Sequence, residues 1–174
     1  MDIASRTDAV ILVGGKGTRL RPLTVSTPKP MLPVANAPFL EHLLGRIKAA
    51  GITHVVLGTS YHAEVFEEYF GDGSELGLEI EYVVEETALG TGGAIRNVYD
   101  RLRYDNVMVF NGDVLGGTDL SKVLATHEET QADVTLHLVR VPDARAFGCV
   151  PTDCDGRVLE FLEKTMDPPT DQIN

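Results

Sequence analysis

Tryptophan is absent from this chain of 174 residues, and cysteine occurs only twice, as Cys149 and Cys154. Two thiols at that spacing make neither a disulfide framework nor a zinc-ligand set. No apolar run approaches the ~20 residues that would cross a bilayer, and Met1 to Asp8 lack the apolar core of a secretory signal. A cytoplasmic, reducing location is the expectation. Cations are scarce, with 15 Lys plus Arg against 26 Asp plus Glu and a formal net charge of −11. Nucleic acid and anionic membrane are therefore excluded as partners, since both need a broad basic face. His42, His54, His62, His127 and His137 are scattered without partner spacing and are expected at the surface or as satisfied core residues.

One local absence has the opposite sign. Between Ala9 and Leu40 there is no Asp or Glu, yet Lys16, Arg19, Arg21 and Lys29 all fall there. The stretch opens with Ala9-Val10-Ile11-Leu12-Val13, whose length and β-branched content predict a buried strand. The strand delivers Gly14-Gly15-Lys16-Gly17-Thr18-Arg19-Leu20-Arg21-Pro22-Leu23, closed by Pro28-Lys29-Pro30-Met31-Leu32-Pro33. Three glycines in four positions leave backbone N–H groups open to an anionic oxygen. Arg can fork onto two phosphate oxygens and Lys adds a movable charge, so a polyphosphate is the expected guest. The spacing is not that of a Walker loop, and Leu20 occupies the third glycine position of the dinucleotide fingerprint.

Onward, Phe39, Leu40, Leu43, Leu44 and Ile47 recur at helical spacing from Pro38, as a first helical residue, until Gly51. Strands are expected over Thr53–Leu57, Leu78–Val84, Val107–Phe110 and Val134–Val141, and helices over Ala63–Phe70, Thr91–Leu102 and Asp119–Thr130. The alternation in Leu78–Val84 suggests a sheet edge, whereas Val107–Phe110 reads as buried and central. Alternating elements predict an α/β, Rossmann-like, doubly wound and mostly parallel sheet, with ligands beyond the carboxyl ends of the strands. Phe147–Thr152 and Arg157–Leu162, joined by Asp153-Cys154-Asp155-Gly156, predict a C-terminal β-hairpin. The expectation is a single domain over 1–174, with a nucleotide-binding part at 1–141 and the start of a sugar-binding part at 142–174.

Two further stretches carry chemistry. Leu89-Gly90-Thr91-Gly92-Gly93-Ala94 sits where a strand meets a helix, so its backbone can press on a flat ligand and the helix N-terminus favours negative charge. Asn111-Gly112-Asp113 places a carboxylate at a strand's carboxyl end, a position that suits Mg²⁺. Taken alone, either stretch could be an ordinary turn.

Together, these motifs resemble the signature of the sugar-1-phosphate nucleotidyltransferases, the nucleotide-sugar pyrophosphorylases, from Ala9 to Asn174. The Leu-Gly-Thr-Gly-Gly wording is most similar to guanylyl-transferring members acting on mannose 1-phosphate or heptose 1-phosphate. The resemblance implies an enzyme that joins GTP to mannose 1-phosphate, giving GDP-mannose and pyrophosphate, with uridylyl or thymidylyl transfer to glucose 1-phosphate as the same-fold alternative. It implies a nucleotide site at Leu12, Gly14, Gly15, Lys16, Gly17 and Thr18, together with Glu86, Leu89, Gly90 and Thr91. Glu85 or Glu86 would accept hydrogen bonds from a guanine edge. Arg19 would neutralise the departing pyrophosphate, Lys29 and Lys164 would position the attacking phosphate, and Asp113 would hold Mg²⁺. Asn111, Gly148, Glu163, Lys164 and Asn174 are implied at the sugar phosphate. The family's second metal-binding Asp lies in a segment outside these 174 residues, so the chain is expected to be the N-terminal part of a larger protein, and a nucleotide-binding module without turnover is the alternative class. A homo-oligomer is allowed.

Overall fold

The computed structural model describes every residue except Met1, Lys16 and Ala88. The regular elements, in chain order, are β1 (Thr7–Leu12), β2 (Pro33–Val34), β3 (Ala37–Pro38), α1 (Phe39–Ala49), β4 (His54–Thr59), α2 (Ala63–Phe70), β5 (Glu79–Val84), α3 (Gly90–Asn97), β6 (Asn106–Asn111), α4 (Leu120–Thr130), β7 (Val139–Arg140) and β8 (Gln172–Ile173). Contacts divide the chain into two compact units, Met1–Ser121 and Lys122–Asn174. No helix among the described residues is long and apolar enough to cross a membrane.

In the first unit a four-stranded sheet runs β5-β4-β1-β6, every neighbouring pair parallel. The apolar run that begins at Ala9 becomes the centre of this sheet, with Ala9, Val10 and Ile11 fully buried, as a strand covered on both faces requires. Leu40, Leu43, Leu44 and Ile47 bury one face of α1, and each fully buried side chain of this size contributes roughly 1.5–3 kcal/mol. Gly51, at φ +92°, turns the chain out of α1, a backbone state that favours glycine.

Several sequence expectations need correction. Pro38 belongs to β3 and precedes the helix rather than opening it. The helix expected over Thr91–Leu102 ends as α-helix at Asn97, and a 3₁₀ turn at Tyr99–Arg101 follows. The strand over Val107–Phe110 is an edge of the four-stranded sheet rather than a buried central strand, with Val109 and Asn111 exposed. Among the described residues its partner in that sheet is β1, so the apolar run of β6 is paired along one edge and left partly exposed. The edge expected for Leu78–Val84 is found as β5.

In the second unit, the strand expected over Val134–Val141 shortens to β7, which pairs antiparallel with β8. The expected hairpin closes at Asp153–Gly156, with the Asp153 N–H donating to the Arg157 carbonyl at 3.0 Å. Cys149 pairs with Leu162 and Thr152 with Val158, but only as isolated bridges. Cys149 also pairs with Ile173, and Ala144, Cys149 and Ile173 form the buried core of this region with Val141 and Leu162 packed against it.

Candidate functional site

The order β5-β4-β1-β6 fixes where a ligand can enter. The chain leaves β1 toward β4 and β5, then returns to β6 on the other side of β1, so strand order reverses between β1 and β6. In open α/β sheets the crevice beyond the carboxyl ends at such a reversal is the ligand site. Here the glycine loop leaves β1 and Asn111-Gly112-Asp113 ends β6, in register through the pair Leu12 and Asn111.

Two glycines make the close approach sterically possible. A Cβ on Gly112 would lie 2.4 Å from Val13 Cγ1 and 3.1 Å from the Leu12 carbonyl oxygen. The Gly112 N–H donates to that same carbonyl at 2.9 Å, so any side chain would push the two strand ends apart. A Cβ on Gly14 would stand 2.8 Å from Ser60 Oγ, and this hydroxyl instead donates to the Gly14 carbonyl at 2.6 Å. Gly17, at φ +56°, precedes the 3₁₀ turn Thr18–Leu20 that carries Arg19. Lys29 opens a second 3₁₀ turn, Lys29–Met31, with Pro28 as its N-cap residue.

These elements surround a cleft of about 700 Å³. Gly14, Gly15, Gly17 and Thr18 form one wall, with Arg19 and Lys29 as its cations. Asn111 and Asp113 face the cleft from the end of β6, and Gly90 and Thr91 from the start of α3. Leu12 lines it as well. The glycine-rich segment at 90–93 is thus the first turn of a helix. Leu89, its N-cap residue, has no side-chain acceptor to offer, so first-turn N–H groups are left for a ligand. Lys29 Nζ donates to Asp113 Oδ2 at 2.6 Å, and both side chains remain more than a third exposed. Arg19 is exposed and has no ion-pair partner among the described residues.

Two nucleotide-site candidates stand elsewhere. Glu86 and Leu89 do not line the cleft, while Glu85 does. The Glu85 N–H continues the β4–β5 ladder to the Thr59 carbonyl at 2.7 Å, so its side chain still obeys strand alternation. Lys16 lies outside the described residues. Sequence reasoning passed over Ser60, although its place just beyond β4 was a signal, because residues at the carboxyl ends of parallel strands are the ones that meet ligands.

In the second unit, the sugar-site candidates Gly148, Glu163 and Asn174 fall in one row. Cys149 pairs antiparallel with Leu162 on one side and Ile173 on the other, which puts Gly148 opposite both Glu163 and Asn174. A Cβ on Gly148 would be 3.1 Å from the Leu162 carbonyl oxygen. A glycine is what leaves this row open, and Lys164 follows Glu163 directly.

Among the described residues, no group of three His, Cys, Asp or Glu side chains could hold a metal ion. The available donors in the cleft are the Asp113 carboxylate and the Asn111 amide, both hard oxygen ligands. That set fits Mg²⁺, which keeps most of its waters and takes further oxygens from a bound phosphate; it does not fit a closed zinc site.

A family model described as nucleotidyl transferase matches residues 8–174. A mannose-1-phosphate guanylyltransferase of Mycobacterium tuberculosis is 71% identical over 167 residues, 96% of this chain and 46% of the relative. A D-glycero-alpha-D-manno-heptose 1-phosphate guanylyltransferase of Aneurinibacillus thermoaerophilus is 41% identical over 157 residues, 90% of this chain and 67% of the relative. The crystal structure of HddC from Yersinia pseudotuberculosis complexed with GMP-PN superposes with TM-score 0.75 at 31% identity, covering 96% of this chain and 73% of that one. The chain thus spans about half the length of its mycobacterial relative. With the family model matching almost end to end, and its glycine loop, Lys29 and Asp113 gathered at the switch point of the sheet, the chain belongs to the nucleotidyl transferase family.

Proposed function

We propose that this chain binds a nucleoside triphosphate, GTP by preference, in the cleft between β1 and β6, and that the protein transfers its guanylyl group to mannose 1-phosphate. The products are GDP-mannose and pyrophosphate. The observation that carries this reading is the convergence of Arg19, Lys29 and the open glycine backbone on one cleft that Asp113 also faces. The mannose and guanine assignments lean on the mycobacterial relative at 71% identity. The free thiols of Cys149 and Cys154 accord with a cytoplasmic setting.

A sugar phosphate is already a nucleophile, so the protein's task is alignment and charge neutralisation rather than base catalysis. A sugar-phosphate oxygen attacks the α-phosphorus, the α–β phosphoanhydride bond breaks, and its electron pair leaves with pyrophosphate. Gly14, Gly15 and Gly17 present backbone N–H groups to the phosphates. Arg19 neutralises the pyrophosphate as it departs, and Lys29 steers the incoming phosphate. Asp113, with Asn111, would hold Mg²⁺, whose chemistry when bound is to neutralise phosphate charge. Glu85 accepts from the N1–H and exocyclic N–H groups of guanine, which uracil and thymine cannot both match. Gly148, Glu163, Lys164 and Asn174 are assigned to the sugar phosphate.

The test is a pyrophosphate-release screen of four nucleoside triphosphates against mannose, glucose and heptose 1-phosphates, run with the full-length protein. Release with GTP and mannose 1-phosphate well above every other pair is the expected result. A preference for UTP or dTTP with glucose 1-phosphate would overturn the guanylyl assignment.

A further inference from the structure

Thr24 is buried between exposed neighbours in the first half of the loop that follows β1. It is 1% exposed, whereas its neighbours Leu23 and Val25 are 63% and 59% exposed. Its hydroxyl reaches back seven residues and donates to the Gly17 carbonyl at 2.8 Å. The same carbonyl accepts from the Leu20 N–H at 2.9 Å, so both of its lone-pair directions are used inside the loop and neither is offered to the cleft. The Thr24 methyl packs there too. A Cβ on Gly17 would lie 3.0 Å from Thr24 Cγ2 and 3.2 Å from Lys29 Cβ. Residues 17–24 thus form a ring closed by one side-chain hydrogen bond, with Arg19 on its arc and Lys29 against its closing point.

We propose that Thr24 is a positioning residue for the triphosphate: its hydroxyl closes the 17–24 ring, and through that ring it fixes Arg19 where the phosphates bind. The proposal rests on the reading of the cleft as a nucleotide site. An Arg on an exposed 3₁₀ turn would otherwise have to be ordered at the moment of binding, at a cost in affinity. Thr24 touches no ligand in this account. It acts on Arg19, so its effect should be independent of which base the nucleotide carries.

The experiment uses two variants of contrasting chemistry. Thr24→Val keeps the shape and removes the hydroxyl, while Thr24→Ser keeps the hydroxyl and removes the methyl. Calorimetric titration with GTP and with UTP, each with Mg²⁺, should show Thr24→Val weakening both by about tenfold, as expected for losing one organising hydrogen bond. Thr24→Ser should stay within about twofold of the wild type by the same reasoning. Hydrogen exchange over 17–25 should rise in Thr24→Val without ligand, and its thermal midpoint should stay close to that of Thr24→Ser. In an Arg19→Ala background, Thr24→Val should have little further effect, because the residue it positions is gone. An undiminished effect in that background, or Thr24→Val binding as tightly as wild type, overturns the positioning role while leaving the nucleotide site intact. A wild-type protein that binds no triphosphate overturns the site itself and the positioning role with it.

Discussion

Lys29 Nζ sits 2.6 Å from Asp113 Oδ2, an ion pair that spans 84 positions of sequence and ties the loop after β1 to the end of β6. Lys29 and a divalent cation would compete for the Asp113 carboxylate, and a cation that took Oδ2 would free the ammonium for a phosphate. Lys29→Met is expected to bind Mn²⁺, as a spectroscopic stand-in for Mg²⁺, several-fold more tightly than wild type without nucleotide, and Asp113→Asn is expected to lose that binding. Electron paramagnetic resonance of free Mn²⁺ measures both, and equal Mn²⁺ affinity in wild type and Lys29→Met would remove the competition.

Arg19 and Arg21 lie two residues apart on one loop, yet only Arg19 lines the cleft. Arg21 is exposed. Losing a charge-assisted phosphate contact costs about 2 kcal/mol, so Arg19→Ala should weaken GTP binding by about thirtyfold at that energy, while Arg21→Ala should leave it nearly unchanged. Equal losses for the two variants, read by titration, would sink the role given to Arg19.

Glu85 and Glu86 make a similar contrast for the base. A carboxylate can accept two hydrogen bonds from guanine, whereas the amide of glutamine accepts with one atom and opposes with the other. Glu85→Gln is expected to lower GTP affinity by about tenfold and leave UTP affinity unchanged, because a buried donor left unpaired is what discriminates bases. Glu86→Gln should do neither. The reverse pattern would return the assignment to Glu86.

The opposite end of the sheet is expected to govern stability rather than binding. Asp8 is fully buried at the start of β1. Its carboxylate accepts from the backbone N–H groups of Arg103 and Tyr104 at 2.7 and 2.8 Å and pairs with His54 Nδ1 at 2.7 Å. Asp8→Ala strands those donors, and the expected loss is about 3 kcal/mol in urea unfolding, with little change in GTP affinity.

Nearby, hydrogen bonds from Arg103 hold the Glu79 carboxyl below its ordinary value against a smaller upward push from burial. Burial pushes Glu81 upward most strongly, but bonds from His54, Arg103 and Arg101 together outweigh it and hold that carboxyl low as well. A carboxyl lowered in the folded state contributes stability that is present above its unfolded value and lost as pH falls through the folded one. The acid limb of the stability curve should therefore lie below roughly pH 5, and Arg103→Met should move the acid midpoint upward. An unchanged midpoint would separate these ion pairs from the fold's acid stability.

Much of this was legible in the sequence because local pattern and global fold agree. The apolar run at Ala9–Val13, the helical spacing from Phe39 to Ile47 and the glycine loops each prescribe one element, and the Rossmann-like sheet follows from their alternation. Long-range polar pairing was not legible. Thr7 and Asp8 extend β1 beyond its apolar run because Asp8 finds its donors on residues 103 and 104. Nothing in local pattern announces a buried carboxylate, a Lys29–Asp113 contact or a hydroxyl that closes a ring at Gly17. His54 was expected as a satisfied core or surface residue, and it is one, between Asp8 and Glu81. Which of Glu85 and Glu86 lines the cleft turns on a single step of strand alternation past the end of β5, which pattern alone leaves open; it is Glu85.

The most direct test of the account is a titration of the wild-type protein with GTP, UTP and dTTP in the presence of Mg²⁺. The account predicts one nucleotide per chain, with GTP bound at least about tenfold more tightly than either pyrimidine nucleotide, the discrimination expected from hydrogen bonds to a base edge, and with GTP binding sharply weakened by Arg19→Ala. UTP or dTTP bound tenfold more tightly than GTP, or GTP binding indifferent to Arg19, would contradict it.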